Sequence, residues 1–224
     1  MPKGFFITFE GPEGSGKSTH IRLLAAYLRA RGRHILLTRE PGGTALAAGI
    51  RKLLLDGGDG LSPMAELFLY EADRAQHMAE CILPALKEGE LVLCDRFTDS
   101  TEAYQGGGRK LGSEPVLALH RILCGNLQPE LTILMDSDVT ASVERARRRN
   151  MGRASANKRA ESDENRFEQE SRAFFGRVRN AYLAIARREP QRVAVVDARG
   201  PAAETHAQIL ALVRRKLRLA ARTA

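Results

Sequence analysis

The sequence predicts an α/β fold, a doubly wound parallel five-stranded sheet flanked by helices, and three observations predict it. Five short apolar runs punctuate the chain. Between them lie segments of helical period, and directly after the first run a glycine-rich turn opens a helix. Strand and helix alternating in this way build a parallel sheet covered on both faces.

The first run, Phe5-Phe6-Ile7-Thr8-Phe9, reads as a strand buried on both sides. Gly11-Pro12-Glu13-Gly14-Ser15-Gly16-Lys17-Ser18-Thr19 follows and matches the pattern G-x-x-x-x-G-K-[ST], which makes the fold one of the P-loop NTPase type. Its glycines let successive N–H groups point inward at phosphate oxygens, and the helix N-terminus adds its positive end. Within this phosphate cradle, Lys17 reaches the β- and γ-phosphates and Ser18 ligates Mg2+. Ile21, Leu24, Ala25 and Leu28 then recur at helical spacing, with Gly32 where a helix would close. The second strand is Ile35-Leu36-Leu37-Thr38.

On the third helix Tyr70 and Arg74 are four residues apart and share a face, so that one can stack and the other donate. Tyr70 also reads as core beside Leu67, and Phe68 reads as core. The third strand, Leu91-Val92-Leu93-Cys94, runs into Asp95, a carboxylate suited to Mg2+, and Arg96 follows at once. A guanidinium beside a metal site points to a second phosphate group nearby. Past it, Ser100 and Tyr104 stand one helical turn apart and Gly106-Gly107-Gly108 reads as a turn. Leu131-Thr132-Ile133-Leu134-Met135 and Val193-Ala194-Val195-Val196 complete the strands. The one break is the polar, arginine-rich stretch from Arg145 to Arg166, which on residue types alone is a solvated basic loop, a lid or a nucleic-acid patch. The tail Arg214-Arg215-Lys216-Leu217-Arg218 reads as a solvated helix face.

At 224 residues the chain suits one domain, 1–224, with the arginine-rich stretch as an insert at about 149–166. Hydrophobic residues at 43% and charged residues at 28% exclude a disordered chain. No apolar run approaches the roughly 20 residues of a membrane span, and no secretory leader precedes the first strand pattern. Cys81, Cys94 and Cys124 are scattered, which points away from a disulfide framework or zinc site and toward the cytoplasm. A net charge of +8 calls for anionic partners without choosing among nucleic acid, acidic membrane and small phosphates.

Taken together, Gly11 to Thr19, Thr38-Arg39-Glu40-Pro41-Gly42-Gly43-Thr44, Asp95-Arg96-Phe97, Ala103-Tyr104-Gln105-Gly106-Gly107-Gly108-Arg109 and Asn165-Arg166-Phe167-Glu168 resemble the bacterial thymidylate kinases, in order and spacing from about Phe5 to Asp197. The resemblance implies an enzyme that phosphorylates dTMP to dTDP with ATP and Mg2+ for dTTP synthesis, acting as a homodimer. It implies that Arg39 and Arg96 bind the acceptor phosphate and that Tyr70, usually Phe in the family, lies on the thymine ring. Arg74 then holds the base's carbonyl edge, and Ser100, Thr101 or Gln105 hydrogen-bonds the pyrimidine. Tyr104 crowds the sugar C2′, Glu13 turns to the 3′-hydroxyl, and Asp95 organises metal and water. Some members carry an Arg inside the P-loop; this chain has none, so the lid becomes the source of a cation at the γ-phosphate, with Arg149, Arg153 and Arg166 as candidates. Asn157-Lys158-Arg159-Ala160 lacks the Asp of a guanine-reading N-K-x-D element, which removes the GTPases. Another nucleoside monophosphate kinase and a nucleic-acid-binding ATPase remain as alternatives. The sequence contains no groove-reading helix or stacking sheet for the latter.

Overall fold

The computed structural model describes residues 4–56, 60–138, 140, 142, 144, 145 and 170–218. Its five strands are β1 (Phe5–Glu10), β2 (Ile35–Arg39), β3 (Leu91–Asp95), β4 (Leu131–Asp136) and β5 (Val193–Asp197). They form one parallel sheet in the order β2-β3-β1-β4-β5. Each strand extends one residue beyond its apolar run, and that residue is charged in every case: Glu10, Arg39, Asp95, Asp136 and Asp197. Ionisable side chains are thereby gathered at the carboxyl edge, where open α/β sheets bind their ligands.

The helices are α1 (Lys17–Arg29), α2 (Ala45–Asp56), α3 (Pro63–His77), α4 (Leu83–Lys87), α5 (Thr98–Thr101), α6 (Ser113–Cys124), α7 (Arg172–Arg188) and α8 (Ala202–Lys216). Ser62 caps α3 by accepting from Ala65 N at 3.2 Å, with Pro63 preset at the first turn. Alternation along β1 divides the core. Ile7 and Phe9 face α1 and α8 through Ile21, Leu24, Leu28, Ile209 and Val213, while Phe6 faces Met78, Ile82 and Phe97 on the other side. No helix among the described residues is long and apolar enough to cross a membrane.

Three sequence expectations are corrected. Gly106-Gly107-Gly108 is no loose turn but part of a π-helical segment, Glu102–Gly108, docked on α7. A Cβ on Gly107 would stand 2.6 Å from that of Ala181, and one on Gly108 2.6 Å from the Phe174 ring. The glycines are there for close packing. Phe68 is 54% exposed rather than core. In the basic tail, Arg214 donates from Nε to Tyr27 Oη at 2.7 Å and Lys216 donates to the Gln191 carbonyl at 2.6 Å, so neither is simply solvated.

Candidate active site

The carboxyl edge of the sheet opens into a cleft of about 690 Å3 between the P-loop, the β2–α2 loop, α3 and the segment after β3. Glycine is required in the P-loop wall: a Cβ on Gly11 would sit 2.5 Å from the Met135 carbonyl oxygen, and Gly11, Gly14 and Gly16 all take positive φ. Lys17 is buried at the start of α1, its Nζ donating to the Gly11 and Pro12 carbonyls at 2.8 Å each. Burial, reinforced by Arg96, pushes its ammonium down to about 8, against the opposing pull of Asp95, Glu13 and Glu10. Ser18 donates from Oγ to Asp95 Oδ2 at 2.9 Å, which joins the P-loop helix to the end of β3.

Those two side chains are hard oxygen donors. Among the described residues no three His, Cys, Asp or Glu side chains cluster to hold a metal. A hydroxyl and a carboxylate side by side still fit Mg2+, which takes one or two protein ligands and fills its octahedron from phosphates and water.

The same cleft is lined by further cations. Arg39 stands exposed at the end of β2. Arg96 has a left-handed backbone, φ 74°, and its N–H donates to the Phe9 carbonyl at 3.0 Å. Its guanidinium donates from Nη2 to Glu13 at 2.8 Å and Tyr104 Oη at 3.4 Å, and from Nη1 to Ser100 at 3.0 Å and Tyr182 at 3.2 Å. Glu13 also accepts from Tyr104 Oη.

Tyr70 and Arg74 both line the cleft from α3, as their spacing predicts. Burial pushes the Tyr70 phenol well above its ordinary range. Arg74 is 1% exposed, and three of its N–H groups are held by Glu40 at 2.9 Å, Glu71 at 2.6 Å and Thr101 at 2.8 Å. Glu40 in turn contacts His77 Nδ1 at 2.9 Å, and the β2–α2 loop lies so close that a Cβ on Gly43 would meet the His77 ring at 2.4 Å. Gln105 also lines the cleft, its amide held by Glu66 at 2.7 Å.

Of the residues singled out in the sequence, Gly11, Pro12 and Ser15 stand behind the cleft lining. Glu13, Gly14, Gly16 and Lys17 to Thr19 line it, as do all the expected acceptor contacts. Arg149, Arg153 and Arg166 lie outside the described residues. Arg145, at the start of that stretch, donates to the Gly14 carbonyl at 3.1 Å and so meets the P-loop. Ser100 lines the cleft, and its hydroxyl donates to Glu10 at 2.5 Å and accepts from Arg96. Glu10, Glu40, Tyr182 and the cleft-lining Arg51 escaped the sequence reading. A carboxylate closing an otherwise apolar strand was the available signal for Glu10; Tyr182, on the apolar face of α7, offered none.

A phosphate cradle and two arginines lining the same cleft define a P-loop kinase, a protein that brings two phosphorylated molecules face to face. The family model described as thymidylate kinase matches residues 9–209. The chain is 50% identical over 211 residues to a thymidylate kinase of Pelobacter propionicus, covering 94% of each. It is 53% identical over 207 residues to one of Pseudomonas syringae pv. tomato, covering 92% of this chain and 93% of that one. Among solved structures, the thymidylate kinase of Ehrlichia chaffeensis is similar with a TM-score of 0.73 at 32% identity, over 95% of this chain and 99% of the other. The chain belongs to the thymidylate kinase family.

Proposed function

We propose that the cleft transfers the γ-phosphate of ATP, carried with Mg2+, to dTMP, giving dTDP for dTTP synthesis in the cytoplasm. The observation that carries this reading is that Lys17, the Ser18–Asp95 pair, Arg39 and Arg96 all line one cleft. Two multiply charged phosphates repel, so their approach needs fixed cations on both sides. Lys17 holds the β- and γ-phosphates, Arg39 and Arg96 hold the acceptor phosphate, and Ser18 with Asp95 holds the metal. Mg2+, when bound, offsets charge on the phosphate oxygens and fixes their geometry. The attacking oxygen is already anionic, so positioning and charge stabilisation do the work and Asp95 need not act as a base.

Tyr70 supplies a face for the base. Arg74 offers the base edge the donors that Glu40, Glu71 and Thr101 leave uncommitted, a guanidinium having five. Tyr104 and Glu13 form the wall toward the sugar, and the arginine-rich stretch that begins at Arg145 closes over ATP. The three cysteines are free thiols, which suits a reducing compartment. The apolar faces of α2, α3 and α6 support a homodimer.

ADP release measured with dTMP, dUMP, UMP, dCMP and AMP offered separately tests the assignment. We expect dTMP to lead, dUMP to follow at a loss of about 1–3 kcal/mol for the missing methyl, and UMP to be poor. Turnover of AMP equal to that of dTMP would leave the reading untenable and favour another nucleoside monophosphate kinase.

A further inference from the structure

We propose that Glu10 is a positioning residue for the transfer, aiming Arg96 at the acceptor phosphate through the hydroxyls of Ser100 and Tyr182. The inference rests on the reading of Arg96 as an acceptor-phosphate ligand. Glu10 is the last residue of β1, is 0% exposed and does not line the cleft, so it touches no substrate itself. A buried carboxylate is costly unless its oxygens are satisfied. Here Oε1 accepts from Phe97 N at 2.7 Å, and Oε2 accepts from Ser100 Oγ at 2.5 Å and Tyr182 Oη at 3.1 Å.

The count of protons gives the arrangement its meaning. Arg96 Nη1 donates to both hydroxyl oxygens, so neither hydroxyl can aim its own proton at the guanidinium. The two oxygens are also 2.8 Å from each other. Burial and the neighbouring Asp99 push the Glu10 carboxyl up to about 7; where it is ionised it takes both protons, or takes one while the other bridges Tyr182 and Ser100, and in each case lone pairs remain toward Arg96. A donor in place of that carboxylate breaks the pattern. Glutamine, of nearly the same shape, must set its NH2 either against the Phe97 N–H or against the two hydroxyls.

The same strand end also grips the arginine's backbone. Phe9 accepts the N–H of Arg96 and Glu10 that of Phe97, across a residue whose left-handed backbone persists only where its surroundings hold it. Tyr182 belongs to α7, Ser100 to α5 and Glu10 to the strand that enters the P-loop. One carboxylate therefore ties three elements to the arginine that faces the acceptor. Removing it leaves Nη2 its bonds to Glu13 and Tyr104 but loosens the hold on Nη1.

Steady-state kinetics of Glu10→Gln, the double variant Ser100→Ala/Tyr182→Phe, and the two combined test this, with melting temperature and ATP KM as folding controls. We expect Glu10→Gln to raise the dTMP KM about tenfold while ATP KM stays within about twofold. The double variant should do the same, and adding it to Glu10→Gln should change little more, because all act through one contact. If Glu10→Gln does not fold, the double variant alone decides. A dTMP KM within about twofold of wild type in Glu10→Gln or in the double variant, or effects that simply add, overturns the proposal. Arg96→Ala separates the two levels: if it too leaves dTMP KM unchanged, the assignment of Arg96 fails first.

Discussion

Lys17 is held, before any phosphate arrives, by carbonyls of the loop that will deliver the phosphates. Burial lowers its ammonium to about 8 from the usual 10.5, so in the ligand-free protein near pH 8 to 9 a large fraction is neutral. An anionic ligand favours the charged form and raises that value again. ATP binding at pH 8.5 is therefore expected to take up a proton, and at pH 6.5, where Lys17 already carries one, to take up none on its account. Calorimetry in two buffers of different ionisation enthalpy reads this directly, and Lys17→Met should abolish the pH 8.5 uptake; proton release there would contradict it. Residues like Lys17 were legible because the P-loop pattern fixes their place along a short stretch of chain. Glu10 and Tyr182 were not, since their hydrogen bond joins positions 172 residues apart and leaves no local spacing to read. Arg74 was legible in place but not in its distant partners, because Glu40 and Thr101 reach it from outside α3, whereas Glu71 stands one turn before it on the same helix.

At the scale of elements, every strand was legible from its apolar run, and every strand except β3, whose closing Asp95 was read, was read one residue short. The reason is physical: the closing residue is the one that leaves the core for the site, so it is charged and breaks the pattern that announces the strand. The π-helical segment 102–108 was illegible for a different reason. Three consecutive glycines have the least helical propensity short of proline, and only the close approach of α7 explains them. Gly108→Ala is expected to destabilise by about 1–3 kcal/mol, although alanine is the better helix former, because its Cβ meets the Phe174 ring and a Val178 methyl at 3.0 Å or less. Gly176→Ala, in α7 with nothing within 4 Å, should instead stabilise by about 0.5–1 kcal/mol. Thermal melts of both variants check this, and equal signs would refute the packing account.

On the whole molecule, α3 packs against both α2 and α6, and these three helices leave Leu46, Leu53, Met64, Phe68, Ile122 and Leu123 exposed. Large apolar side chains gathered on adjoining helices are what a partner's matching surface buries. Light scattering is expected to give twice the 24.6 kDa chain mass, and Phe68→Glu or Ile122→Glu to return it toward one. A monomer at micromolar wild-type protein would end the homodimer proposal. The sheet order carries a further consequence for how the chain is made. Its middle strand, β1, is synthesised first yet pairs with residues 91–95 and 131–136. At ribosomal rates of about 5–20 residues per second, Phe5 to Phe9 wait on the order of ten seconds for their second neighbour. Until β3 emerges, a ribbon of aromatic and β-branched residues has both edges open, and until β4 emerges it still has one, a state prone to pair with another nascent chain. Yield on overexpression should therefore be limited by elongation speed and chaperone supply rather than by the stability of the finished sheet, and slow synthesis in the cold is the condition that favours it.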